Sequence, residues 1–278
     1  MNRISTHFLD LEGIKTAYYS TEGEGTPIVL LHGGGVDHAM LSWKTIMQTW
    51  TGSQPLVALD LPGYGNSDKP ELEYSLSFYT GFLNAFLDTL NAQNVTLCGL
   101  SMGGAIALQY ALRYPNYIGK LVLVAPWGVS AYSLMGRLLV RLPLNQAAYK
   151  TLQNRWLAKN IIAGSLIGNR EKITPEILDE VQTAAHSKDA ARVFQSFQIS
   201  ELWGEPPVGH LIPLLPQIKV PTLFIQGDKD PDVKVGDVKQ AAASMPNTRV
   251  EIFEHHKHWV QKESPERFVD IVRDFVES

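Results

Sequence analysis

Three side chains have the types and the order along the chain that nucleophilic catalysis by serine needs. Ser101 stands in a Gly-x-Ser-x-Gly pattern, directly after an apolar run. Asp230 and His258 each follow a later apolar run by a few residues. Because a serine hydroxyl is a weak nucleophile, it needs a base, and the base needs a third group to orient it. The sequence therefore predicts Ser101 as the nucleophile, His258 as the base and Asp230 as the carboxylate that orients the base.

The residues around Ser101 favour this chemistry over a turn that merely packs a helix on a strand. A nucleophile on a sharp strand-to-helix turn has a strained backbone and exposes its hydroxyl above the sheet. Small residues two positions before and after it let the chain reverse, and Gly99 and Gly103 stand there. The helix that follows adds a partial positive charge near a developing oxyanion.

A second glycine-rich turn, His32-Gly-Gly-Gly35, also follows an apolar run. Glycines let backbone N–H groups approach a substrate carbonyl, as an oxyanion hole requires. The same run is compatible with phosphate binding, although it lacks the Lys-Ser/Thr of a P-loop and the spacing of a dinucleotide site. Taken alone, this turn leaves both interpretations open.

The other candidate ligands and nucleophiles are weaker. His255, His256 and His258 are close in sequence and histidine is the commonest metal ligand, but no carboxylate or cysteine stands at a familiar ligand spacing around them. We therefore expect neither a metal nor another cofactor. Cys98 is interpreted as a small buried hydrophobe. The remaining histidines are interpreted as structural or ordinary, with His38 and His210 as candidates to reach the pocket: His7, His32, His38, His186 and His210.

The apolar runs predict the elements that must position these residues. Continuous apolar runs of strand length alternate with helical patterns, which is typical of a doubly wound parallel sheet with helices on both sides. Asp230 and His258 follow two of these strands, so both belong at the carboxyl edge of the sheet, where Ser101 also lies. An antiparallel hairpin is predicted around Glu12-Gly13. The predicted buried strands are Ile28–Leu31, Leu56–Leu59, Val95–Leu97, Leu121–Ala125, Val220–Gln226 and Arg249–Glu254.

One segment breaks this alternation. Residues 127–216 are helix-rich and lack strand-like runs, so we predict an α/β core of residues 1–126 and 217–278 with an inserted helical lid at 127–216. Thr174 is predicted to cap a lid helix that starts at Pro175, and Ser264 to cap the final helix. The aromatic and methionine residues of the lid are expected to form mostly its own core, with a few facing substrate: Tyr132, Met135, Trp156, Phe194, Phe197 and Trp203.

Composition limits the function classes. The chain has 278 residues, 45% of them hydrophobic, and a formal net charge of −4. This mild acidity argues against a nucleic-acid partner, and a single cysteine excludes an intrachain disulfide or a cysteine metal cluster. The N-terminus lacks the features of a secretory signal, and no apolar run reaches membrane-spanning length. We expect a cytoplasmic protein with a small-molecule substrate and no membrane partner, and leave a homodimer open.

Together these motifs resemble the α/β-hydrolase superfamily, in its lid-bearing branch. The matching residues are His32-Gly-Gly-Gly, Asp60-Leu-Pro-Gly-Tyr-Gly-Asn-Ser67-Asp, the turn at Ser101, Gly227-x-x-Asp230 and His258, in the family's order. The resemblance implies an α/β fold with a mostly parallel eight-stranded sheet flanked by helices. It implies that the backbone N–H groups of Gly34 and Met102 form the oxyanion hole and that Asp60 has a structural role.

The resemblance also guides the remaining assignments. Its carboxylate stands three residues after the glycine, which favours Asp230 over the rivals Asp228 and Asp232. We expect Gly35, Trp127 and Trp259 to line the substrate pocket.

The resulting prediction is a serine hydrolase that cleaves a small ester or related acyl substrate through an acyl-enzyme. The alternative is hydrolysis of a carbon–carbon bond in a dienoic diketone, since His32-Gly-Gly-Gly, Ser101-Met-Gly-Gly and His258-Trp-x-Gln are similar to that subfamily. The sequence departs from it at Val36-Asp37 and at Val181, where an arginine is expected to bind the substrate carboxylate; Arg192 and Arg170 are candidates to replace it.

Proline iminopeptidase and cofactor-free peroxidase activities are open through the same three residues. The non-enzymatic alternative is a ligand receptor that reuses the hydrolase pocket.

Overall fold

The protein is built on one eight-stranded sheet. The computed structural model describes residues 1–130, 144–187, 189–203 and 211–278. The strand order is β1-β2-β4-β3-β5-β6-β7-β8, in which β1 and β2 form an antiparallel hairpin at one edge and β3 to β8 are parallel. The strands are β1 Ser5–Leu11, β2 Ile14–Ser20, β3 Ile28–Leu31, β4 Leu56–Leu59, β5 Val95–Leu100, β6 Ile118–Val124, β7 Thr222–Gly227 and β8 Thr248–Phe253.

The central strands read as unbroken apolar runs because both of their faces are covered. Along β3, Val29 and Leu31 belong to one hydrophobic cluster and Ile28 and Leu30 to the other, as expected when successive side chains point to opposite faces. The predicted hairpin and the predicted parallel sheet are confirmed, and β3 and β4 have their predicted bounds.

Helices cover both faces of the sheet. Within the described residues they are α1 Ala39–Thr49, α2 Leu76–Thr89, α3 Met102–Arg113, α4 Leu144–Leu152, α5 Arg155–Ser165, α6 Pro175–Ala185, α7 Ala190–Trp203, α8 Val235–Ser244, α9 Val260–Glu263 and α10 Pro265–Glu277. Helices α2, α3 and α8 pack on one face, and α1 and α10 on the other. In this part of the chain, no helix has both the length and the apolar character that a membrane span requires.

Among the described residues between β6 and β7 there are four helices, α4 to α7, in the region predicted as a lid; we call them the inserted helices. The lid bounds at residues 127 and 216 stay a prediction. Thr174 caps α6 as predicted, because its side chain accepts a hydrogen bond from the Ile177 N–H and Pro175 is the first helical residue.

The prediction for Ser264 is right in position but not for the side chain: Ser264 is the N-cap residue of the last helix, and its carbonyl accepts from the Phe268 N–H at 3.0 Å. Helix α10 begins at Pro265, but the Ser264 side chain makes no cap hydrogen bond. The Ser264 hydroxyl is instead 2.6 Å from Nε2 of His256, so it bonds the turn after β8 and not the first N–H groups of α10.

Candidate active site

Ser101 lies on a strained turn between β5 and α3. Its φ of 51° and ψ of −112° fall outside the regions that most side chains adopt, and such strain is held only where surrounding contacts fix it. The Ser101 N–H donates to the Val124 carbonyl at 2.9 Å, and the Ser101 carbonyl accepts from the Trp127 N–H at 3.0 Å. These bonds to the neighbouring strand and its following loop hold the turn in place.

The two glycines of the turn are required by close backbone contacts. A Cβ on Gly99 would lie 2.3 Å from the Gly103 carbonyl oxygen, and a Cβ on Gly103 would lie 2.4 Å from the Leu31 carbonyl oxygen. Neither contact can be relieved by a side-chain rotation, since both involve backbone atoms. The small residues that the sequence pattern demands thus let α3 pack closely against β5 and β3.

Asp230 and His258 lie together at the carboxyl edge of the sheet, after β7 and β8. Nδ1 of His258 is 2.8 Å from Oδ2 of Asp230, and both residues are buried. The other oxygen, Oδ1, accepts from the backbone N–H groups of Asp232 and Val233 at 2.8 and 3.1 Å. Asp230 is therefore the carboxylate bonded to the imidazole, and its rival Asp228 forms an ion pair with Lys229 at 3.3 Å instead.

The pair favours a charged imidazole over a neutral one. Burial lowers the pKa of His258, but the hydrogen bond and charge of Asp230, followed by the charges of Asp232 and Asp37, raise that pKa above its usual range overall. Burial raises the pKa of Asp230, whereas its bonds to His258, the Asp232 N–H and Gln226 outweigh this and lower it. A base that gains a proton at this position is thereby stabilised.

Ser101 and His258 line one cavity of about 540 Å³ between the sheet edge and the inserted helices. The five further residues predicted at the site, Gly34, Met102, Gly35, Trp127 and Trp259, all line it too. The rest of the lining is Gly33, Val36, Asp37, Asn145, Ala148, Tyr149, Leu152, Leu166, Phe194, Phe197, Gln198, Leu202, Pro231, Asp232 and Val233.

The inserted helices contribute only some of their predicted residues to this cavity. Phe194 and Phe197 line it, whereas Trp156 is 72% exposed and lies elsewhere, and Trp203 is half-buried at the end of α7. Three other candidates, Tyr132, Met135 and His210, lie outside the described residues.

The arginines proposed to bind a carboxylate do not line the cavity. Arg192 donates to the Lys69 and Pro70 carbonyls and pairs with Asp189, and Arg170 bonds Asn160 on the exposed surface. Neither candidate therefore occupies the cavity in place of an arginine at Val181. Val181 itself is fully buried in a hydrophobic cluster.

Two polar residues of the sequence motifs have structural roles. His32 is fully buried, with Nδ1 2.7 Å from the Gly33 carbonyl oxygen and Nε2 accepting from the Leu61 N–H at 3.2 Å. Asp60, also fully buried, accepts from the N–H groups of Ala39 and Asn66. These bonds tie the loops that follow β3 and β4 to each other.

The remaining candidates outside the site have ordinary roles. Cys98 is buried, and burial raises its pKa, so it is an inert thiol beneath the turn. His38 caps α1 by accepting from the Leu41 N–H, and it lines a second cavity next to the first.

Sequence reasoning missed two buried polar residues that shape the site. Gln226 donates from Nε2 to Oδ2 of Asp230 at 3.0 Å and so helps to orient the carboxylate. Asp37 accepts from the Gly33 N–H at 2.8 Å and thereby holds the glycine-rich turn. For Asp37, the departure from the family pattern was the available sequence signal. For Gln226, the sequence offered no signal.

A cation could be held by one group of side chains in the described part of the chain. Asp230, Asp232 and His258 each place a ligand atom within 4.8 Å of the others, a cluster that sequence spacing did not predict. However, Asp230 and His258 are hydrogen-bonded to each other. A metal ion that used this bonded pair would have to break the bond that orients the imidazole.

The loop that carries His258 is fastened to the inserted helices on both sides of the histidine. Lys257 Nζ donates to the Ala163 and Gly164 carbonyls at 2.5 and 2.7 Å, near the end of α5. The Trp259 N–H donates to the Leu166 carbonyl at 2.8 Å. Glu263 accepts from the N–H groups of residues 168 and 169 at 2.8 and 2.6 Å. We call this set of contacts the base-loop anchor.

The fold and this arrangement together define a class of protein. A mostly parallel sheet carries a serine on a strand-to-helix turn, and a bonded histidine–carboxylate pair follows two later strands in the order Ser, Asp, His. This order and this placement are those of α/β hydrolases.

Comparison with known proteins agrees, and the chain belongs to the alpha/beta hydrolase fold family, whose sequence model matches residues 26–265. An uncharacterised protein of Mycobacterium tuberculosis is 28% identical over 282 residues, covering 98% of this chain and 81% of that protein. A 2-hydroxy-6-oxononadienedioate/2-hydroxy-6-oxononatrienedioate hydrolase of Comamonas testosteroni is 27% identical, covering 91% and 88%. The solved 2-hydroxy-6-oxo-6-phenylhexa-2,4-dienoate hydrolase of a Rhodococcus strain matches with a TM-score of 0.84 at 19% identity, over 100% of both chains.

Proposed function

We propose that this hydrolase cleaves a small ester or related acyl substrate through an acyl-enzyme formed on Ser101. The observation that carries the proposal is that His258, bonded to Asp230 at 2.8 Å, lines the same cavity as Ser101. The strained turn at Ser101 supports it, because such strain is typical of a nucleophile held for attack.

In the proposed reaction, Nε2 of His258 takes the Ser101 proton as Oγ attacks the acyl carbonyl. Asp230 holds the Nδ1–H tautomer and stabilises the imidazolium. The backbone N–H groups of Gly34 and Met102 bind the oxyanion of the tetrahedral intermediate. The imidazolium then gives its proton to the leaving alcohol, and a water molecule, deprotonated by His258, cleaves the acyl-enzyme to the free acid.

A panel of p-nitrophenyl esters with acyl chains of two to eight carbons tests this proposal. Release of p-nitrophenolate is expected for at least the shorter chains, and Ser101→Ala should abolish it. The circular dichroism spectrum and melting temperature of Ser101→Ala should match the wild type, which separates loss of the nucleophile from loss of the fold. Turnover of no ester by the wild type, or wild-type turnover by Ser101→Ala, refutes the proposal.

A second candidate reaction is hydrolysis of the carbon–carbon bond of a dienoic diketone. It is favoured by relatives that match over nearly their full length and are named as such hydrolases, among them the Comamonas testosteroni protein described above. The same three residues would act at the ketone. Loss of the ultraviolet–visible absorbance of a 2-hydroxy-6-oxo-dienoate measures this activity, and a kcat/KM above that for every ester in the panel would make it the principal function.

A further inference from the structure

Two acidic side chains line the cavity that holds Ser101. Asp37 follows the glycine-rich turn after β3, and Asp232 lies in the loop after β7. Among the described lining residues there is no lysine or arginine, and His258 is the only other titratable group apart from Tyr149. Apart from His258, which must be neutral to act as a base, the described lining therefore has two acidic side chains and no basic one.

The charge of Asp37 is held by neutral donors only. Asp37 is buried, with 3% of its surface exposed. Oδ2 accepts from the Gly33 N–H at 2.8 Å, Oδ1 accepts from the His38 N–H at 2.8 Å, and the Ser42 hydroxyl lies within 2.8 Å of both oxygens. No described ion pair includes Asp37, so these bonds fix the carboxylate without cancelling its charge.

Asp232 lies close to the reacting groups. Its backbone N–H donates to Oδ1 of Asp230, and its carboxylate has an oxygen within 4.8 Å of ligand atoms of both Asp230 and His258. The charges of Asp232 and Asp37 both act on the imidazole, where they help to raise the pKa of His258 after the larger effects of burial and of Asp230. The field of the two carboxylates thus extends to the place where the acyl group would be attacked.

We propose that Asp37 and Asp232 make the cavity selective for acyl groups without a negative charge and disfavour substrates that carry a carboxylate. A carboxylate on the acyl group would be repelled by these like charges, more strongly by the buried Asp37, where solvent screens little, than by the exposed Asp232. This inference rests on the proposed serine hydrolase function and specifies its substrate class. It also separates this protein from the relatives whose names describe dienoate and dienedioate substrates.

The test compares two esters that differ mainly in charge. p-Nitrophenyl hexanoate ends in a methyl group, and mono-p-nitrophenyl adipate has a carboxylate in its place. The wild type is expected to show a kcat/KM at least about tenfold higher for the hexanoate, with a larger ratio at low ionic strength. The variants Asp37→Asn and Asp232→Asn each remove one charge at nearly the same shape and should each narrow the ratio at least about threefold. Asp37→Asn also loses one of the two backbone N–H bonds that its oxygens accept, but this loss affects both esters alike and does not by itself change the ratio.

A matched control removes a carboxylate from the same region without changing the lining. Asp228 precedes Asp230 by two residues and does not line the cavity. Asp228→Asn should therefore leave the ratio at the wild-type value. An adipate that reacts as fast as the hexanoate, or a ratio that the two Asn variants leave unchanged, overturns the inference. So does a preference for the adipate, the result expected if Arg137 or Arg141, both outside the described residues, bound its carboxylate.

Failure of the enzyme proposal gives a different result. If neither ester is cleaved, the serine hydrolase function fails, and the charge preference is measured by calorimetry with heptan-2-one and 6-oxoheptanoate, which differ by the same terminal group. Weaker binding of 6-oxoheptanoate that Asp37→Asn improves supports the inference. Equal or tighter binding of the anion by the wild type overturns it.

Discussion

A methyl group added at Gly34 should separate the glycine-rich turn from the inserted helices. The Cβ of Gly34→Ala would lie 2.5 Å from Cε2 and 3.0 Å from Cδ2 of Phe194 on α7. Carbon atoms pack best at about 3.5–4.0 Å, so the ring or the turn must move by about 1 Å. Added bulk of this kind typically costs about 1–3 kcal/mol of the free energy of unfolding. If the turn moves, kcat also falls by at least about tenfold, because the Gly34 N–H is a proposed oxyanion donor.

The second partner of the contact provides the decisive comparison. In a Phe194→Ala background the ring is gone, and Gly34→Ala should then cost less than about 0.5 kcal/mol, measured by urea denaturation of the four proteins of a double-mutant cycle. Gly35→Ala is the matched control. Gly35 has φ of +79° but no atom nearer than 3.9 Å, so alanine there costs about 1–2 kcal/mol through backbone strain alone. Phe194→Ala should not relieve that cost. Equal costs of Gly34→Ala with and without the Phe194 ring would refute the reasoning.

Three further results are expected. Asp230→Asn should lower kcat about 10⁴-fold, because the amide favours the wrong tautomer of His258. The kcat of Asp228→Asn should stay within about threefold of the wild-type value, and comparable losses in the two variants would contradict the assignment of Asp230 as the orienting carboxylate. Since the base must be neutral and the pKa of His258 is raised, kcat/KM should begin to fall above pH 6.5 as the solution is made more acidic. Asp230→Asn should move this acidic limb of the pH profile to lower pH, and a limb that does not move counts against His258 as the base. Burial raises the pKa of Glu201, whose carboxyl accepts from the Leu76 N–H at 2.5 Å. The contribution of Glu201 to stability is therefore greatest below about pH 4.5 and is lost as the pH rises through the folded-state pKa. In urea denaturation, the free energy of unfolding of Glu201→Gln relative to that of the wild type should increase from pH 4 to 7, and a constant difference would exclude this effect.

The sheet was predictable from the sequence because its strands are covered on both faces. In runs such as Ile28–Leu31 every residue is apolar, so the strand can be assigned without deciding which face is buried. The bounds of the strand then follow from where the apolar run ends. The positions of Ser101, Asp230 and His258 followed from the same strands, since each residue comes just after one.

Predictions failed where a side chain had a choice of partners. Ser264 had a good helix-capping sequence, but its hydroxyl bonds His256, which the sequence does not place beside it. The sequence marks Asp37 only as a departure from the subfamily pattern and does not indicate that the fold buries its carboxylate against the Gly33 N–H. The cavity lining from the inserted helices was only partly predictable, because both Phe194 and Trp156 are aromatic residues of this region, yet Phe194 lines the cavity whereas Trp156 is 72% exposed.

The base-loop anchor has a consequence for exchanging parts between members of this family. Lys257, Trp259 and Glu263 bond the carbonyl and N–H groups of residues 163–169, so this stretch of the inserted helices and the loop of His258 form one mechanical unit. A chimera that grafts inserted helices from a relative onto this core keeps these bonds only where the donor backbone follows the same path as residues 163–169, because Lys257, Trp259 and Glu263 remain in the core and contact backbone atoms of that stretch. The position of His258, although it lies in the core, therefore depends on the backbone path of the inserted helices.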